Sequence, residues 1–182
     1  MKILSTIKSI AACAVLAWAA PVFSHIVLEN KSAPAGSNYK AVFVLGHGCQ
    51  GSATTGVVVQ IPTGFLGTKP YPKPGWTVTT QLGKLAKPYD SHGRQVTDDV
   101  TLVSWTATAK ESALPDAFVD EFVLRGMTPE AAGPLWFKVL QICESGRNAW
   151  SDIPAAGTST RGLKSPAVLL QVGPADTAHH HH

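Results

Sequence analysis

Positive charge is sparse in this sequence, and it is scattered. The 182 residues carry 15 Lys and Arg against 12 Asp and Glu, with no basic run. That pattern gives no footprint for nucleic acid or an anionic membrane as a partner. Enzyme signatures are also missing: no GxxxxGK phosphate loop, no GxSxG elbow and no HExxH helix occur. Ser52, His47 and Asp98 or Asp99 make a triad only on paper, because a triad is defined by geometry. The chain therefore reads as a non-enzyme. There is no internal repeat and no sign of a second domain, and cysteine is rare, with three in all.

Long apolar runs are confined to the start. Lys2 and Lys8 precede an apolar stretch from Ile10 to Ala20, and Val22-Phe23-Ser24 supplies small residues for cleavage after Ser24. These are the three parts of a secretory signal peptide over residues 1–24. The stretch is shorter than the roughly 20 residues of a comfortable membrane span. A lipobox reading of Ile10-Ala11-Ala12-Cys13 fails because no apolar region separates it from Lys8. Removing 24 of the 182 residues leaves 158, starting at His25, and reduces the basic count from 15 to 13 against 12 acids. A chain of that length usually forms one domain.

Processing also simplifies the cysteines. Cys13 leaves with the leader, and Cys49 and Cys143 remain. An even pair in an exported protein predicts a disulfide. The alternative is a thiolate pair suited to Cu(I). His179–His182 form a terminal run, read either as a purification tag or as a metal-collecting tail, within a disordered tail over residues 173–182.

The body of the chain reads as all-β. Ile26–Leu28, Tyr39–Leu45, Val57–Ile61, Trp76–Thr80, Val100–Trp105, Phe118–Leu124, Leu135–Ile142 and Val168–Val172 are rich in β-branched and aromatic residues, with Gly, Pro, Asp and Ser between them. Recurring short strands predict an antiparallel β-sandwich over residues 25–172. Thr128–Ala132 predicts one helical turn, with Pro129 at its first position. Thr68–Gly75 predicts a stiff, proline-rich connection, and Gly157–Ser165 a flexible approach to the last strand. Trp76, Trp105 and Trp136 lie in strand-like runs and are expected in the core. His92 sits in a polar turn, as a surface histidine would.

His25 differs because cleavage would make it the first residue. A first histidine offers two nitrogen donors, the α-amine and imidazole Nδ1, which together close a six-membered ring on a metal. An α-amine titrates near about 8 and an imidazole near about 6.5, so a metal displaces both protons readily. Nitrogen donors in a flat arrangement suit Cu(II), which tops the divalent affinity series. His47, in Gly46-His47-Gly48-Cys49-Gln50-Gly51, is either incidental to a glycine-rich turn or a second ligand.

His25-Ile26-Val27-Leu28-Glu29-Asn30, Gly46-His47-Gly48-Cys49, Pro72-Lys73-Pro74-Gly75-Trp76, Trp105, Gln141-Ile142-Cys143 and Trp150, in that order, resemble the YcnI-type family. The resemblance spans residues 25 to about 172. It implies an exported, periplasmic copper-binding β-sandwich of cupredoxin-like or fibronectin-III-like form. It further implies that His25 holds Cu(II) through amine and imidazole, as a monohistidine brace, with Trp150 beside the copper. The Gly-His-Gly-Cys segment and Cys143 look like a subgroup feature. If His47 approached His25, three nitrogens would make a two-histidine brace. Family members often carry a C-terminal membrane segment, and none is visible here, so the processed chain is expected to be soluble. The expected role is copper trafficking or homeostasis, with other periplasmic copper proteins or a membrane copper transporter as partners. Two alternatives remain: a histidine-brace copper oxidative enzyme, or a metal-free sandwich module for protein interaction.

Overall fold

Residues 25–175 are described by a computed structural model. The leader expected at 1–24 and the terminal histidines His179–His182 lie outside the described residues. Period-two alternation of apolar and polar residues resolves into eleven strands, and among the described residues the helical content is one 3-10 turn, Lys110–Ser112. No described helix is long and apolar enough to cross a membrane.

The strands are β1 (Val27–Leu28), β2 (Ser32–Pro34), β3 (Asn38–Leu45), β4 (Thr54–Gln60), β5 (Leu66–Pro70), β6 (Trp76–Ser91), β7 (Arg94–Ala107), β8 (Asp120–Met127), β9 (Gly133–Cys143), β10 (Arg147–Trp150) and β11 (Val168–Gly173). The smaller sheet has the order β1-β3-β8-β5, and the larger the order β2-β11-β9-β4-β7-β6 with β10 also on β9. All pairings are antiparallel except β2 with β11. Inward side chains of both sheets form one core, including Phe43, Phe122, Phe137, Val57, Val103 and Trp105. The expected antiparallel β-sandwich is therefore the observed architecture.

Strand β9 organises the larger sheet. One edge pairs with β4. The other is shared, with β11 along Gly133–Phe137 and β10 along Val139–Ile142. Trp150, opposite Val139, thus ends β10 close to where Val168, opposite Phe137, begins β11. Across the sandwich, β1 lies on the edge of the smaller sheet, with Val27 opposite Val44 and Leu28 opposite Phe43. Ile26 and Leu28 are buried and anchor this first strand.

Several elements differ from expectation. Residues Thr128–Ala132 form a bend rather than a helical turn. The Thr128 hydroxyl donates to the Pro34 carbonyl at 2.6 Å, and the Thr128 N–H donates to Ser37 O at 2.9 Å, so the segment is tied sideways to the β2–β3 turn. Part of the Thr68–Gly75 connection is strand β5, whose Pro70 is tolerated on a sheet edge. In the remainder, Lys73 reaches the Asp120 carboxylate at 2.7 Å and lies over the Phe122 ring, while Trp76 packs edge-on against the same ring. Trp136 is half-buried on the outer face of β9, because Leu135, Phe137 and Val139 hold the inward register. Trp76 and Trp105 are in the core as expected. The β6–β7 hairpin runs well past Thr80, to a turn at His92 and Gly93, both with positive φ (52° and 77°), which is the twist-matched form for a two-residue hairpin. Its shaft is clamped by Asp99, which accepts from Gly67 N–H at 2.7 Å and from the Tyr89 hydroxyl at 3.3 Å. Burial, then the Asp99 charge, pushes the Tyr89 phenol above its ordinary range.

Cys49 and Cys143 are disulfide-bonded, 94 positions apart. On the chain-entropy account a loop of that size stabilises by about 4–5 kcal/mol. Reduction is expected to lower the melting temperature by about 8–20 °C, and an unchanged melting temperature would contradict that contribution. A second prediction concerns Tyr39, buried on β3, whose hydroxyl donates to the Asn30 carbonyl and so ties the end of the N-terminal strand to the sheet. Desolvation, then the Glu29 charge, pushes its phenol up to about 12 from 10.0. A raised folded value means that the contribution is intact below pH 10 and is lost as pH rises towards 12. Tyr39→Phe is expected to flatten the alkaline fall in unfolding free energy across that window. Parallel curves for the two proteins would sink this assignment.

Candidate metal centre

The alternation that buries Ile26 and Leu28 leaves His25 exposed at the head of β1. Its imidazole does not hang free. It meets the Trp150 indole with ring centroids 5.5 Å apart and planes at 87°. Such an edge-to-face arrangement is favoured between aromatic rings. Trp150 is only 4% exposed, so it is a fixed wall, and it shields one side of the imidazole from water. Beside His25 is a cavity of about 200 Å³, bounded by Lys31, by Thr158 and Thr160 of the β10–β11 connection, and by Pro166 and Ala167. That connection, expected to be loose, is pinned at its neck. Asp152 N–H donates to Ser165 O at 2.9 Å, Ala167 N–H donates to Asp152 O at 2.8 Å, and the Asp152 carboxylate accepts from Ser165 N–H at 2.9 Å.

The indole is fixed in turn by a residue to which sequence reasoning gave no role. Gln141, 1% exposed, continues the inward register of Leu135, Phe137 and Val139. Its Oε1 accepts from Trp150 Nε1 and from Asn148 Nδ2, each at 3.3 Å. Its Nε2 donates to the His47 carbonyl at 2.7 Å and to Thr54 Oγ1 at 2.8 Å. A register shift in β4 between Thr54 and Gly56 turns Thr54 inward to meet it. The available signal was a lone amide at an inward position of an apolar alternating strand. Such a group is costly to bury unless it is fully hydrogen-bonded.

His47 lies elsewhere. It lines a second, open cleft of about 1080 Å³ with Gly48, Asp116, Arg147, Trp150 and Lys164 among its neighbours. It joins the Gln141 network through its backbone carbonyl. The structure thus brings His25 and Trp150 into contact, and places His47 in a different cavity from His25, with Trp150 lining the cleft that holds His47. The loop carrying His47 closes tightly. Cys49 and Ser52 exchange N–H···O bonds at 3.1 and 3.0 Å. A Cβ at Gly48 would lie 1.8 Å from the Ser52 carbonyl oxygen, so that position accepts only glycine. The loop leads into strand β4, so its three glycines do not open onto a helix that would cradle phosphate.

Among the described residues no group of three or more His, Cys, Asp or Glu side chains is placed to hold a metal. Cleavage after Ser24, the expectation from the sequence, would give His25 donors of another kind. A first-residue histidine needs no second side chain, since its amine and imidazole share one Cα, and an exposed imidazole against a rigid indole leaves space for an ion. That donor set fits a nitrogen-seeking ion such as Cu(II).

No curated protein matches the chain. Among solved structures, an uncharacterized protein from Nocardia farcinica with an immunoglobulin-like fold is 22% identical, with a TM-score of 0.63 over 82% of this chain and 98% of that one. This likeness bears on the fold, and agrees with the two-sheet sandwich. A putative membrane anchored protein from Corynebacterium diphtheriae is 12% identical, with a TM-score of 0.39 over 83% of this chain and 34% of that one. Residues 25–172 match the family described as a domain of unknown function, DUF1775, a domain that YcnI-type proteins carry, and the chain belongs to that family.

Proposed function

We propose that the chain is exported to the periplasm, is cleaved after Ser24, and then binds one Cu(II) at His25 through the freed α-amine and imidazole Nδ1. The observation that carries this reading is the exposed His25 imidazole held edge-to-face against buried Trp150. Cleavage supplies the second nitrogen, and the fold supplies the wall. Of the two histidines it is His25 whose ring contacts Trp150, which favours a single-histidine site over a two-histidine brace. A site with so few protein donors leaves coordination positions open for an incoming ligand from a donor or acceptor protein. The role that follows is capture and hand-over of copper in trafficking or homeostasis, with periplasmic copper proteins or a membrane copper transporter as partners, and without turnover.

Calorimetry with Cu(II) tests the reading on three proteins freed of the terminal histidines. One begins at His25, one begins at N-acetylated His25, and one carries His25→Ala. Acetylation removes the amine donor and spares the ring. The expected outcome is one ion per chain for the first protein, and affinity lower by about 100-fold or more (about 3 kcal/mol) for the other two. Equal affinity across the three would exclude the N-terminal site.

A further inference from the structure

We infer that Gln141 is the positioning residue of the proposed copper face, and that it joins that face to the Cys49–Cys143 disulfide. The inference rests on the copper reading for its consequence, though the network itself is independent of metal. Its basis is the polarity of one side chain. Indole Nε1–H is a donor only, and the His47 carbonyl is an acceptor only. A residue that satisfies both from one buried position must accept on one side and donate on the other, which an amide does and a carboxylate or an apolar chain does not. The partners therefore fix the orientation of the Gln141 amide, with Oε1 towards Trp150 and Asn148 and Nε2 towards His47 and Thr54. They also use its full capacity of two acceptor and two donor positions. The indole is then held at both ends: at Nε1 by Gln141, and on its ring by His25.

The disulfide enters through the same atoms. Cys143 lies two residues after Gln141 on the inward side of β9, and Cys49 lies two residues after His47. Thr54 Oγ1 reaches Gln141 Nε2 at 2.8 Å and Cys143 Sγ at 3.9 Å. The disulfide and the Gln141 amide thus fasten one loop, residues 46–53, to one strand. Loss of the disulfide frees the loop, withdraws the His47 carbonyl from Nε2, and leaves the amide free to rotate away from the indole.

The test uses nitrogen-15 NMR on metal-free protein beginning at His25, with the Trp150 Nε1–H signal assigned by its loss in Trp150→Phe. In the unchanged protein this N–H is expected to exchange slowly with solvent. Gln141→Met fills similar volume without polarity, and is expected to shift the signal and speed its exchange by at least about tenfold. Gln141→Glu keeps the acceptor and loses the donor, so it moves the His47 and Gly48 amide signals more than Trp150 Nε1–H. A Cys49→Ser/Cys143→Ser protein is expected to shift Trp150 Nε1–H in the same direction as Gln141→Met. With Cu(II) added, the electron paramagnetic resonance spectrum of Gln141→Met is expected to differ in hyperfine splitting from that of the unchanged protein, which a merely stabilising role would not produce. If Gln141→Met does not fold, the Gln141→Glu and double-serine proteins decide. A folded Gln141→Met protein with the Trp150 signal and its exchange unchanged overturns the positioning role, as does a Gln141→Glu protein in which the His47 and Gly48 amide signals stay unmoved, and an unmoved Trp150 signal in the double-serine protein overturns the link to the disulfide. Copper failing to bind the unchanged protein would remove the copper reading while leaving the NMR result to stand.

Discussion

The candidate site depends on one buried amide. Gln141 sits among inward-facing Phe137, Val139 and Cys143, where an unpaired polar group costs about 1–3 kcal/mol. It is stable there because four partners from three segments converge on it: His47, Thr54, and Asn148 with Trp150. This convergence requires the β3–β4 loop, the start of β4 and strand β10 to be in place together. The indole of Trp150 is therefore set by tertiary structure rather than by its own short strand, which has only four residues. His25, at the free head of β1, then has a rigid surface to meet.

The architecture explains why these groups gather at this end. A sandwich must close its open sides, and here both closures come together. On the larger sheet, β10 and β11 divide one edge of β9 and leave a junction near Trp150 and Val168. On the smaller sheet, the edge strand β1 brings the N-terminal residues to the same place. Strand edges normally need protection. In this chain the short β1 and the pinned β10–β11 connection supply it, and between them they leave the cavity beside His25. The Pro72-Lys73-Pro74-Gly75-Trp76 segment, conspicuous in the sequence, serves the core instead, through Phe122.

Much of this could be read from the sequence, because the strongest local signal is period-two alternation. Tyr39–Leu45, Leu135–Ile142 and Val168–Val172 fall wholly on strands, Val57–Ile61 does so as far as Gln60, and the two cysteines left after residue 24 are joined. The contact between His25 and Trp150 is between residues expected to share a site. The short strands β2, β5 and β10 are not legible, since three to five polar or proline-containing residues carry no period and are held by their neighbours alone. Trp136 was misplaced because its size suggested burial, whereas the phase of β9 faces it outward. Gln141 belongs to the segments that carry the family resemblance, but its role is not legible for a related reason. Its role comes from four partners, two of them 87 or more positions away and two on the later strand β10, and only the closed sandwich brings them together.

The most direct test of the central claim is a crystal structure of the chain beginning at His25 after loading with one equivalent of Cu(II), with copper located by its anomalous scattering. The account predicts a single copper bonded to the α-amine and Nδ1 of His25, with the Trp150 indole alongside and its Nε1 still on Gln141 Oε1. Copper bound instead to His47 in the larger cleft, or to both histidines, would contradict it.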